Sequence, residues 1–309
     1  MIKENKLKHQ PYFHPDFKPD FSKWDNNKIS FCLLGHSTVL INFYGVYIIT
    51  DPVLFKRIGP PEFMNNLFGI RRITACPVEV RKLPPISYIV ISHAHYDHLD
   101  LPSIKALIKK QKKNPPLIII PSETSYIFKS MSDLRLMELP WNKKLSNSEI
   151  TIIPFKVEHY GTVANTVRNK KSGFNGYSFI KNGKTIMFFG DTSFKKLRNR
   201  DGIRLKSPES VDWKKQTGNR NPDLAIIPIG DYYYDNHTSP AQAVKIGQMI
   251  NAAGILPVHY NTFILSPPEK YKSSPDSIMK SLLSKKIKFR NYETSDLKFP
   301  EIGLSCYLD

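Results

Sequence analysis

His93-Ala94-His95-Tyr96-Asp97-His98 sets three imidazoles and one carboxylate inside six consecutive residues. Imidazole nitrogen and carboxylate oxygen are donors that zinc accepts, and less selectively manganese or iron, so the run reads as a metal-binding segment rather than a solvated loop. His93 and His95 alternate along an extended stretch and point the same way, whereas adjacent Asp97 and His98 in a turn can diverge toward a second ion. Just before them, Ile86 to Ser92 (ISYIVIS) is a short apolar run bounded by Pro85 and by the histidines. That pattern predicts a buried strand whose carboxyl end delivers the ligands.

The surrounding sequence has the punctuation of an α/β protein. Lys28 to Leu34, Thr38 to Phe43 and Val46 to Thr50 are β-rich runs separated by glycine-containing turns, which predicts an antiparallel meander. Leu117 to Ile120, Ile150 to Val157, Asp223 to Ile229 and Ile255 to Val258 read as further strands, and Tyr177 to Ile180 pairs with Thr185 to Phe189 through the Asn182-Gly183 turn. Helices are expected over Pro102 to Gln111, from Ser239-Pro240 to about Ala252, and over Ser277 to Lys285. Residues 55 to 84 form a long excursion without a clear element, a candidate substrate-facing loop. Residues 1–27 lack periodicity and read as an arm on the surface of one domain spanning 28–309.

Composition narrows the setting. The 309 residues carry a net charge of +18, which favours anionic partners: an anionic small molecule, a lipid headgroup or nucleic acid. Much of that charge is dispersed lysine, as at Lys105, Lys109, Lys110, Lys112 and Lys113, and reads as a solvated helix face. No zinc-knuckle or RNA-binding motif is present, which argues against a nucleic-acid-binding protein with a nuclease or structural metal site. No stretch approaches the roughly 20 apolar residues of a membrane span, and the opening has no signal-peptide core, so a cytoplasmic location is expected. Peripheral contact with a membrane surface would use the basic face and Phe55, Phe63 and Phe68. Cys32, Cys76 and Cys306 are odd in number and widely spread, and read as reduced.

Three more residues follow β-rich runs directly: His159, Asp191 and His259. In open α/β sheets, ligands gather outside the carboxyl ends of the strands. One ion can then take His93, His95 and His159 and a second Asp97, His98 and His259, with Asp191 bridging. Two such ions would lower the pKa of a shared water to about 7 and make it a nucleophile at neutral pH. Asp51, closing Val46 to Thr50, is expected to orient a ligand rather than bind metal.

The order Asp51, His93-x-His95-x-Asp97-His98, His159, Asp191, His259 resembles the motifs of the metallo-β-lactamase superfamily over residues 29–265. Leu34 to Leu40 (LGHSTVL), Thr50-Asp51-Pro52, Ile91 to Asp100 (ISHAHYDHLD), Phe189-Gly190-Asp191-Thr192 and Val258 to Phe263 (VHYNTF) are similar to the branch containing N-acyl-phosphatidylethanolamine-hydrolysing phospholipase D, related to L-ascorbate-6-phosphate lactonase. The resemblance implies a four-layer αβ/βα sandwich with a dinuclear site at one edge, and a role for His237 on a phosphoryl oxygen or the leaving group. It also places His36 beside the ligands. Two stretches that border the site depart from that pattern, Tyr160 to Lys171 and Asp231 to Asp235.

The sequence therefore predicts a hydrolase with two Zn2+, or Mn2+ or Fe2+, acting as a phosphodiesterase on a phospholipid-like or small organic phosphate. Its catalytic groups would be Asp97, Asp191 and His237, with Arg71, Arg72, Tyr232, Tyr233 and Tyr234 binding the rest of the substrate. A lactonase or thioesterase using the same site is the alternative.

Overall fold

A computed structural model describes residues 12–59, 69–159, 173–193, 212–230, 237–263, 288–289, 292–293 and 301–308. Within them the predicted meander forms strands β1 (Ile29–Gly35), β2 (Thr38–Phe43) and β3 (Val46–Thr50), joined antiparallel. The sheet then changes sense: β4 (Tyr88–Val90), β5 (Leu117–Ile120) and β6 (Leu136–Glu138) add in parallel beside β3. A second sheet runs antiparallel through β7 (Leu145–Ser146), β8 (Thr151–Phe155), β9 (Gly176–Lys181) and β10 (Lys184–Phe188). It then turns parallel at β11 (Leu224–Pro228) and β12 (Ile255–Val258). Strand β13 (Ser305–Leu308), which no sequence signal marked, returns to pair with β1 at the edge of the first sheet.

Side chains of alternate parity on a strand face opposite sides, and here both sides are covered. Phe31, Leu33, Ile41 and Val90 of the first sheet share one buried cluster with Ile152, Phe179, Ile186 and Ile226 of the second. The opposite parity of the first sheet, Cys32, Leu34, Leu40 and Ile89, packs with Ile104 and Leu107 of α1 (Leu101–Lys110). On the second sheet, Met187, Ala225 and Ile227 continue the cluster to Trp213 of the short α2 (Trp213–Gln216) and to Ala243, Val244 and Ile246 of α3 (Pro240–Met249). The layers are therefore helix, sheet, sheet, helix, the four-layer αβ/βα sandwich expected.

Local chemistry sets the ends of these elements. Asp100 caps α1, its carboxylate accepting the Ser103 N–H at 3.0 Å, so the histidine segment runs straight into a fixed helix start. Ser239 and Gln242 form a reciprocal capping box at α3. This helix ends earlier than the sequence suggested because Asn251 takes a left-handed conformation, φ 53°. Strand β4 is shorter than the run Ile86 to Ser92, since Ile86 N–H goes to the Gln111 side chain and Ser92 N–H to Asp51.

The excursion at 55–84 contains a two-stranded ladder of Arg57–Ile58 with Ile70–Arg71 and a 3-10 turn at Val80–Lys82. Lys105, Lys109, Lys112 and Lys113 are exposed, and the three cysteines are free. The arm is tied down where it is described: Phe13 N–H donates to the Ile73 carbonyl at 2.7 Å, and Trp24 is buried against the outer face of the first sheet. The helix expected at 277–285 lies outside the described residues. Among the described residues no helix is long and apolar enough to cross a membrane.

Phe179 has no exposed surface and sits between the two sheets. Phe179→Ala is expected to lower the unfolding free energy by about 3–5 kcal/mol, read from the urea midpoint at unchanged slope.

Candidate metal centre

Four strand ends meet at one rim. Asp51 follows β3, the segment 93–98 follows β4, Asp191 follows β10 and His259 follows β12; His159 lies just beyond β8. His36, in the β1–β2 turn, and His237, before α3, reach the same place. The turns that present these groups are conformationally expensive. Asp51, His36 and His259 all have positive φ, at 35°, 52° and 66°, a region that costs a non-glycine residue roughly 1 kcal/mol or more. Close approach also dictates two glycines. A Cβ at Gly230 would collide with the His259 carbonyl, and one at Gly190 would collide with the Ser92 side chain.

The donor atoms fall into two neighbouring sets of four, each set with its atoms within 4.8 Å of one another: His93, His95, His159 and Asp191, and His36, Asp97, His98 and His259. Asp191 lies at the centre. Its Oδ2 is 2.8 Å from His237 Nε2, 3.2 Å from His98 Nε2 and 3.7 Å from both His93 Nε2 and His159 Nε2. Its Oδ1 is 3.4 Å from His259 Nε2. In the first set His93 Nε2 and His95 Nδ1 approach to 2.8 Å.

The protonation pattern leaves lone pairs where a cation could use them. The single Ser92 hydroxyl hydrogen goes to Asp51 Oδ2 at 2.6 Å, so Ser92 Oγ accepts from His93 Nδ1 at 2.9 Å. His93 Nε2 is left as the bare nitrogen. Asp51 Oδ2 also lies 2.6 Å from His98 Nδ1, which turns His98 Nε2 toward the two carboxylates. His98 Nε2, His259 Nε2 and Asp191 Oδ1 are buried and make no hydrogen bond of acceptable geometry. Buried polar atoms are almost always paired, so three converging exceptions fit a site for divalent cations.

Charge distribution points the same way. Burial, reinforced by neighbouring imidazoles, holds His93 and His159 well below the ordinary histidine range and lowers His95. For His98 and His259 burial acts downward but is outweighed by carboxylates: Asp191, Asp97 and Asp51 hold His98 well above its usual range, and Asp191 with Asp97 carries His259 to about 9. Burial likewise opposes ionisation of Asp97 and Asp191, yet the surrounding imidazoles hold both well below the usual carboxylate range. Two buried anions thus demand positive charge, which protons supply when no metal does.

The residues singled out in the sequence as ligands, His93, His95, Asp97, His98, His159, Asp191 and His259, are all brought together here, as are Asp51, His36 and His237. The substrate residues fare differently. Arg72, expected to bind substrate, is instead 1% exposed, and its guanidinium donates to the carbonyls of Val53 (2.6 Å), Leu34 (2.8 Å) and Thr74 (3.0 Å). With its hydrogens directed to three backbone oxygens, it braces the loops behind the site. Arg71 lies over the Tyr12 ring, 4.9 Å from its centre. Tyr232, Tyr233 and Tyr234 lie outside the described residues, as do Phe63, Phe68 and the whole of 160–171; Phe55 is exposed. Sequence reading missed Ser92 and Thr262. Ser92 had a signal, being the hydroxyl directly before the first histidine; Thr262 had none.

Comparison with known proteins agrees with this geometry. The family described as the β-lactamase superfamily domain matches residues 47–260. An uncharacterized protein of Mycobacterium tuberculosis is 27% identical over 260 residues, covering 82% of this chain and 64% of that protein, so the chain spans under two thirds of its length. N-acyl-phosphatidylethanolamine-hydrolyzing phospholipase D 1 of Caenorhabditis elegans is 27% identical over 269 residues, 79% of this chain and 67% of that one. A solved structure from Veillonella parvula, described as a possible metal-dependent hydrolase, shares the fold with a TM-score of 0.65 at 18% identity, over 91% of this chain and 100% of that one.

Arg72→Leu is expected to destabilise the fold by about 3 kcal/mol or more, because three backbone carbonyls, those of Val53 and Leu34 buried, lose their donor. Arg71→Leu is expected to cost less than about 1 kcal/mol in the same urea titration. The chain belongs to the β-lactamase superfamily.

Proposed function

We propose that this chain is a metal-dependent hydrolase that holds two divalent cations, zinc foremost, and hydrolyses a phosphodiester in a phospholipid-like substrate of the N-acyl-phosphatidylethanolamine type. The observation that carries the reading is the pair of donor sets, with Asp191 of the first within 3.2 Å of His98 Nε2 and 3.4 Å of His259 Nε2 of the second, both nitrogens buried and without a hydrogen bond. His93, His95 and His159 would hold one ion and Asp97, His98 and His259 the other, with Asp191 between them. When bound, such ions act as Lewis acids on a phosphoryl oxygen and activate water at neutral pH.

The protein's own groups do the rest. Ser92 and Asp51 fix the tautomers of His93 and His98, so that both present Nε2 to the centre. His237 is partly open, its side chain 13% exposed, and stands 2.8 Å from Asp191 at the mouth of the site. Its Nε2–H, directed to Asp191 here, would be given instead to a phosphoryl or leaving-group oxygen of the substrate. The lipid class of substrate is supported by the phospholipase relative and by the basic charge of the chain.

In zinc-loaded protein, N-acyl-phosphatidylethanolamine and bis(p-nitrophenyl) phosphate should both be cleaved, and labelled water should place its oxygen in the phosphate product. Asp97→Asn and His98→Ala should each reduce turnover by about a thousandfold, the scale of several kcal/mol of lost charge stabilisation. Unchanged turnover in both variants, or label found in a carboxylate, refutes the assignment. Zinc at about a hundred times its dissociation constant should stabilise the fold by about 2.7 kcal/mol, seen as a rise in melting temperature. Because a proton on His259, whose pKa is about 9, must leave before the ion can bind, zinc affinity should rise from pH 6 to pH 8.

A further inference from the structure

The assignment of two ions leaves one histidine of the centre without a task. His36 is 2% exposed, and its Nε2 lies 2.9 Å from Asp97 Oδ2. The Nε2 atoms of His259 and His98 approach the same oxygen only to 3.5 and 3.7 Å. An ionised carboxylate accepts and cannot donate, so the hydrogen in the short contact belongs to His36. A nitrogen donating that hydrogen has no lone pair left for a cation. His36 is therefore a holder of Asp97 rather than a ligand beside it.

The same residue is fastened to His259. The His259 N–H donates to the His36 carbonyl at 2.9 Å, and the two rings lie 3.9 Å apart, tilted by 43°. His36 N–H donates in turn to Thr262 Oγ1 at 2.6 Å, two residues beyond Tyr260 on the His259 loop. On the other flank of the turn, the Leu34 carbonyl is held by Arg72. The remaining ring contacts of His36 run to His98 and Phe263. The ties of His36 to other metal-site groups run to Asp97, His98 and His259, all of one set.

Resting on the two-ion reading above, we propose that His36 is a positioning residue for that half of the site. Its Nε2–H sets the Asp97 carboxylate and its backbone sets the His259 loop, so occupancy of one cation position depends on a residue that does not touch the cation. The half formed by His93, His95 and His159 should be indifferent to it.

The test is zinc content after dialysis, with chelator competition to give the affinity of each ion, on the full chain. His36→Phe keeps a ring against His259 and removes the donor; His36→Gln keeps an N–H. The expected result is two ions in the wild type, and in His36→Phe one ion at wild-type affinity with the other weakened 10- to 100-fold, while His36→Gln stays within about threefold of wild type. Equal melting temperatures of the metal-free proteins would show that all three fold alike. The inference is overturned if His36→Phe binds both ions as the wild type does, if it loses both together, or if His36→Gln is as impaired as His36→Phe. A wild type that takes a single ion overturns the two-ion reading and this inference with it; the other failures leave that reading standing.

Discussion

Asp97 and Asp191 are two carboxylates buried among imidazoles, and the remainder of the molecule is organised around keeping them there. An ionised group taken out of water costs several kcal/mol unless opposite charge and hydrogen bonds replace its hydration. Here the replacement comes from rings on five separate segments, so no single element could make the site alone. His98 and His259 balance the two anions in the absence of metal. The neutral rings of His93 and His159, with His95 beside them, complete a centre in which a divalent cation can take over that charge.

The sandwich supplies the required convergence by how its sheets are wired. Each begins as an antiparallel ladder and becomes parallel next to a strand that ends in a carboxylate, β3 with Asp51 and β10 with Asp191. Parallel neighbours send their chains off in the same direction, and the segments leaving β4 and β12 therefore arrive at one rim. The cost appears in the backbone: positive φ at Asp51, His36 and His259, and no room for a side chain at Gly190 or Gly230. Strain of this kind persists only where the surroundings enforce it. The Arg72 guanidinium, the Ser92 hydroxyl and the Thr262 hydroxyl are the enforcing contacts.

Much of the centre was legible in the chain because ligand chemistry leaves residue types in a fixed order. His159, Asp191 and His259 each follow an apolar run, and a buried strand can be recognised from such a run. Arg72 was misread for a physical reason: a charged residue in a long loop looks solvent-facing until the depth of the loop is known, and nothing in the sequence marks three unpaired carbonyls beneath it. His36 was placed near the site but not within it, since its contact with Asp97 spans 61 positions and depends on the β1–β2 turn. Strand β13 escaped for a similar cause. Its partner β1 lies at the far end of the chain, and Ser305–Leu308 is too short to carry a periodicity.

The hairpin between β9 and β10 offers a use that the site itself does not suggest. Asn182 and Gly183 form its turn at φ 50° and 75°, and no atom lies within 4 Å of where a Gly183 side chain would begin. From that turn β10 runs to Asp191, roughly 25 Å away at the rise of an extended strand. This turn is thus open, remote from the metal centre and connected by one strand to the central carboxylate. A tether, affinity handle or fluorophore attached there would present the protein to a surface with every ligand loop facing away, and distances measured from the label would report on the position of Asp191 itself.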